Sequence, residues 1–183
     1  MAKKPAQRTP SQEPQLKTII RKYIRYEGDL KNEIFDPKLE FGFAFTHPKG
    51  NKPDGKPKGI GFQAIKPKKE DFIELGSRLN ISPQHIKILD ADQKKKAKFF
   101  GTIQKIFLMK NVAYGINFKE NFWITSHRIY LNDKKKLSMN FFYETIRNLF
   151  NSNIYAIRLI NSICSGNGNN RDFDDGEDLS LYS

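Results

Sequence analysis

Residues 138–164 constrain this chain more than any other stretch. Met139, Phe142, Tyr143, Ile146, Leu149, Phe150, Ile154, Ile157, Ile160 and Cys164 recur at steps of three and four, which lines one face of an α-helix. Asn140, Glu144, Arg147, Asn148, Ser152, Tyr155 and Arg158 turn away on that spacing. Ser138 supplies an N-cap and Gly166 a stop. So wide an apolar face needs a broad surface to cover. Upstream, Leu39, Phe41, Phe43 and Phe45 alternate with Glu40, Gly42, Ala44 and Thr46, the period of a strand with all four large residues on its buried face.

The remaining elements follow in order. Residues 1–13 are polar and aperiodic and are expected to be disordered. Leu16, Ile19, Ile20, Tyr23 and Ile24 predict an amphipathic helix closed by Gly28. Short strands are expected over 30–35, 39–45, 60–64 and 72–76, with an exposed Gly/Pro/Lys loop from His47 to Gly59. Ser82-Pro83 starts a short helix, and Asp90 or Asp92 caps a longer one with Phe99, Phe100, Ile103, Ile106 and Phe107 on one face. Val112, Tyr114, Ile116 and Phe118 alternate, Glu120-Asn121 turns the chain, and 122–131 returns beside them. Strands grouped rather than interleaved with helices predict an α+β domain over 14–164. It is a twisted antiparallel sheet flanked by N-terminal, central and long C-terminal helices. Residues 165–183 form an acidic C-terminal tail, expected to be flexible.

Charge narrows the partners. The formal net charge is +12, although the tail carries Asp172, Asp174, Asp175, Glu177 and Asp178 against Arg171 alone. Such a basic body suits a polyanion or an acidic protein. No run is long and apolar enough to span a membrane, and the amino-terminal segment has no secretory pattern. The single cysteine, Cys164, makes no internal disulfide and fits a reducing, cytoplasmic setting.

A helix, then FDPKLEFGFAFTHP, GFQAIKPKKEDFIELGSRLNISPQHI, KKAKFFGTIQKIFL, FWITSHRIYLND and FYETIRNLFNSNIYAIRLI, in this order, resembles an uncharacterised archaeal domain-of-unknown-function family. The resemblance covers about residues 16–164. It implies a fold like that of type III secretion chaperones in a cytosolic archaeal protein, and no activity. Chaperones of that fold bind extended, partly unfolded protein segments, often as dimers, so the analogy implies a protein partner, allows a dimer and leaves the oligomeric state open.

Several near-motifs lead nowhere catalytic. Gly50 to Lys56 matches the first part of a phosphate-binding loop, but Pro57 stands where Ser or Thr should hold magnesium, and a strand follows instead of a helix. Phe41, Phe43 and Phe45 resemble a base-stacking strand, yet Leu39-Glu40 replaces its basic lead. His47, His85 and His127 lack partners at metal-ligand spacing, and Ser126-His127 has no nucleophile motif beside it. The chain is therefore expected to be non-enzymatic, without metal or cofactor.

Two binding signals remain. Lys66, Lys68, Lys69, then Lys94, Lys95, Lys96, Lys98, then Lys134, Lys135, Lys136 form three clusters that, on one side, would contact phosphates of RNA or the ribosome. The tail's Leu181, Tyr182 and Ser183 resemble the hydrophobic-Tyr-X terminus with which proteasome activators enter pockets of the α ring. The expectation is a protein-binding adaptor or chaperone-like factor, docking on a proteasome core through that tail. An RNA- or ribosome-associated factor is the alternative.

Overall fold

In this computed structural model, residues 13–165 are described, except 52, 54, 56, 57, 118 and 132–136. Strand β2 (Leu39–His47) lies at the heart of the fold, with Phe41, Phe43 and Phe45 each at most 4% exposed. It pairs on one side with β1 (Asp29–Glu33) and on the other with β3 (Ile60–Pro67). β4 (Phe72–Asn80) follows β3, then β6 (Phe122–Tyr130) and β5 (Ala113–Asn117), so the order is β1-β2-β3-β4-β6-β5. Every pairing is antiparallel. The first four strands form a meander. The last two form a hairpin turned at Asn121, which takes the left-handed conformation (φ 56°) that asparagine tolerates.

The helices α1 (Glu13–Glu27), α3 (Gln93–Met109) and α4 (Met139–Cys164) cover one face of this sheet, and α2 (Pro83–Ala91) packs on α3 and α4. The chain is an α+β protein with an antiparallel sheet and a long C-terminal helix, as its strand grouping predicts. Ser82, Asp92 and Ser138 cap α2, α3 and α4, each accepting from a backbone amide of the first turn. Gly28 follows α1 for a steric reason: a Cβ there would lie 2.8 Å from the Thr46 carbonyl oxygen, so only glycine lets α1 approach β2.

Three local expectations are corrected. β3 and β4 run longer than the apolar alternation suggests, because buried polar residues, Lys66 in β3 and Ser77 in β4, continue the covered face, and Arg78 continues the open one. Leu39 does not share the face of Phe41, Phe43 and Phe45. The β2–β3 register shifts between Leu39 and Phe41, and Leu39 packs beside Gly42 on the opposite side. His47 begins no loop: it ends β2, 6% exposed, with its ring edge-on to Phe62 and Phe150.

The α4 stripe holds for its first half, where Phe142, Tyr143, Ile146 and Leu149 are buried. In the second half the buried face moves to Ser152, Asn153, Ala156, Leu159 and Ile160, while Ile154 and Ile157 are only half-buried. The cause is polar. Fully buried Asn153 accepts from Trp123 Nε1 at 3.0 Å and donates to Thr125 Oγ1 at 2.8 Å, closing a network between helix and sheet. The Ser152 hydroxyl satisfies itself on the Asn148 carbonyl at 2.7 Å.

Candidate interaction surfaces

Three kinds of feature could carry a function: titratable groups, lysine clusters, and the sheet face that no helix covers.

The titratable groups are held in structural roles. His47 Nδ1 faces the Glu27 carbonyl oxygen at 3.2 Å, and burial lowers the pKa of its ring from the ordinary histidine value. Burial, helped by the nearby Glu27 carboxylate, pushes the Tyr143 phenol up to about 12, and its hydroxyl donates to the Tyr23 carbonyl at 3.3 Å. Burial likewise raises the Cys164 thiol, which disfavours the thiolate a nucleophile needs. The hydrogen bond from Lys17 depresses the Glu33 carboxyl, and Arg21 pairs with it too. His127 lies against Asn111 and Phe141. Among the described residues, no three His, Cys, Asp or Glu side chains form a group that could hold a metal ion. No helix is long and apolar enough to cross a membrane among the described residues.

The lysines divide. Lys66 was expected to meet a polyanion, and its burial overturns that: it is 2% exposed. Its ammonium pairs with Glu40 at 3.0 Å and donates to the Pro67 and Glu70 carbonyls. The bulge at Glu40 turns that carboxylate towards it, so the pair is part of the β2–β3 frame. Lys68 and Lys69 stay exposed in the β3–β4 turn. On α3, Lys96 pairs with Asp90 at 2.7 Å, while Lys94 and Lys98 are exposed and Lys95 is half-buried. Lys134, Lys135, Lys136, Leu181, Tyr182 and Ser183 lie outside the described residues, as do the arm 1–12 and much of the near phosphate loop.

The two described groups do not converge. Leu131 N donates to Asp71 O, and Lys68 N to Lys38 O, so the Lys68–Lys69 turn sits at the sheet end where β6 leaves. Nine-residue β4, roughly 30 Å long at strand rise, separates that turn from the start of α2, where Ile81 N donates to Asn121 O. α4 finishes beyond this second end: Cys164 Sγ contacts the His85 carbonyl at 3.9 Å. Asn148 Nδ2 donates to the Lys110 carbonyl at 2.8 Å, so α3 runs antiparallel to α4 and its lysine-bearing start lies beside the end of α4. One nucleic-acid footprint spanning both groups would have to wrap the length of the sheet.

The uncovered face is built differently. Strand alternation puts Phe72, Glu74, Gly76 and Arg78 of β4 beside Tyr130, Arg128, Ser126 and Ile124 of β6. Ala44, Gln63, Gly76, Ser126 and Ala113 form a flat row of mostly small side chains across five strands. Arg128 lies over the Phe72 ring at 4.6 Å and pairs with Glu74 at 3.2 Å. Arg78 lies over the Phe122 ring at 3.7 Å and faces Glu120 at 3.8 Å. Ile124 is 41% and Tyr130 48% exposed between these stacks. At the β1–β2 corner an open cleft of about 300 Å³ is lined by Lys17, Glu33, Phe35, Leu39 and Glu40, with Phe35 projecting into solvent. Sequence reasoning passed over this face, because its aromatic residues sit at strand positions that read as polar-side neighbours. The one available signal was the i, i+2 series Phe122, Ile124, Ser126, Arg128, Tyr130.

Comparison with known proteins gives a family and a fold. The sequence model of the family described as an uncharacterized conserved protein, DUF2299, matches residues 16–160. The crystal structure of an uncharacterized protein from Methanothermobacter thermautotrophicus superposes with a TM-score of 0.67 at 19% identity, over 80% of this chain and 97% of that one. No curated protein matches the sequence.

Proposed function

Since this chain belongs to the DUF2299 family of uncharacterized conserved proteins, whose description names no activity, we propose from its geometry a cytosolic, non-enzymatic protein-binding adaptor that docks partners on the open sheet face. One observation carries this reading. The face joins Tyr130, Ile124 and two Arg–Phe stacks, the residue types that dominate protein interface centres. Each arginine there has a glutamate at hand, so the patch holds no surplus positive charge. An apolar protein surface suits it better than a polyanion does. The likeness to secretion chaperones belongs to the same proposal, with an extended protein segment as one form of partner.

The RNA reading loses Lys66 to burial and loses a common face for the remaining described lysines. A pull-down with an amino-terminally tagged chain, with and without nuclease, separates the two. The expected result is a discrete protein partner that resists nuclease and disappears with Ile124→Glu, while circular dichroism shows an unchanged fold. Recovery of the same partner by Ile124→Glu, or release of all bound material by nuclease, overturns the proposal. A variant lacking residues 181–183 run beside them tests the proteasome expectation: α-ring subunits should vanish from that lane alone.

A further inference from the structure

The acidic run begins seven residues after Ser165, at Asp172, and includes Asp174, Asp175, Glu177 and Asp178. Where α4 ends decides what this run can reach. Cys164 lies against the His85 carbonyl of α2, and the Lys95 charge is close enough to act on its thiol. Lys94 and Lys98 flank Lys95 on the first turns of α3. None of these three is ion-paired with another described residue. Four lysines in the first turns of α3 oppose its dipole, and Asp90 and Asp92 offset only part of that. Seven residues span at most about 24 Å, which brings Asp172, the first acid of the run, over these lysines, whereas Lys68 and Lys69 lie a full strand length farther from the root of the tail.

From this juxtaposition we infer that the acidic segment 172–178 folds back onto Lys94, Lys95 and Lys98 and screens them in cis. The occupant is the chain's own carboxylate run, and charge complementarity with the nearness of Lys95 to the end of α4 favours the site. Single exposed ion pairs are weak. A short tether, however, presents the carboxylates at about millimolar effective concentration, and three ammonium groups meet up to five of them. Such a device keeps non-specific polyanions off α3 and leaves the sheet face free for a partner. It does not depend on the adaptor reading, since it concerns a different surface.

The test is paramagnetic relaxation in the full-length chain, with Cys164→Ser and a nitroxide on Asp175→Cys. The expected result is selective broadening of the amide signals of residues 93–98, with those of 68–71 unaffected. The broadening should be lost in 0.5 M salt, on the order of a 4 Å Debye length, and lost again in Lys94→Glu/Lys95→Glu/Lys98→Glu. A tether alone would broaden the same amides without regard to salt or charge. Broadening that survives both treatments, broadening equal at the two ends, or none at 93–98 each overturns the inference. The label is repeated on Asp172→Cys, again with Cys164→Ser, and the same salt dependence is required.

Discussion

The two faces of one sheet are drawn from the same strands, alternate residue by residue, and end up chemically opposed. On the covered face Phe43, Ile73, Leu75 and Trp123 are at most 2% exposed and meet α1, α3 and α4. On the other face Ile124 and Tyr130 stand in solvent, and the rings of Phe72 and Phe122 are shielded by arginines rather than by a second layer. An antiparallel sheet tolerates one wet face. What it does not require there is an aromatic and arginine-rich surface, and the proposed docking role rests on that excess.

Truncation on the covered face should be far more costly than on the open one. Phe43→Ala is expected to destabilise by about 4 kcal/mol through lost burial and a residual cavity. Ile124→Ala should stay within about 0.5 kcal/mol. Urea unfolding of the two variants would read both numbers, and equal losses would erase the distinction. The lysines offer a second contrast. Lys66→Met leaves the Glu40 carboxylate without its buried partner and should cost about 3 kcal/mol, whereas Lys68→Met should be near neutral. A thermal melt in which both are neutral would return Lys66 to the surface.

Smaller effects test the seam between α4 and the sheet. Asn153→Ala strands Trp123 Nε1 and Thr125 Oγ1 and should cost about 2 kcal/mol. Asn153→Asp keeps the acceptor for Trp123, and its second oxygen can accept from the Thr125 hydroxyl, but it buries a charge, so it is expected to be worse than Ala. Chemical denaturation of the pair decides this, and Asp milder than Ala would mean the network is wetter than its burial implies. The smallest effect is a pH slope. Burial depresses the His47 pKa, so the unfolded chain binds its proton more readily than the folded one. That contribution is fully present above the unfolded value of about 6.5 and is lost as pH falls through the lower folded value. Stability measured from pH 7.5 to 5 should fall for the wild type, and His47→Asn should flatten that part of the slope.

Much of the fold was legible from single residues. Ser82, Asp92 and Ser138 announce helix starts because a side-chain oxygen can satisfy first-turn amides whatever surrounds it. The alternation through Phe41, Phe43 and Phe45 announces a buried strand face for an equally local reason. The misreadings have non-local causes. The place of Leu39 depended on a register shift against β3, and the inward turn of Asn153 depended on an indole and a hydroxyl arriving from β6. The candidate surfaces were read least well. Lys66, Lys68 and Lys69 look alike in a list of charges, yet one lies in the β-frame and two lie in a turn.

The sequence by itself thus determined the class of the fold, the order of its elements and the charge asymmetry between body and tail. Periodicity, capping chemistry and net charge are properties of neighbouring residues or of simple sums. Only the tertiary structure decided which lysines reach solvent, which group of them stands beside the root of the acidic tail, and which sheet face stays open. Those depend on pairing register and helix placement, which bring together residues such as Glu40 and Lys66, or Lys95 and Cys164, that are distant along the chain.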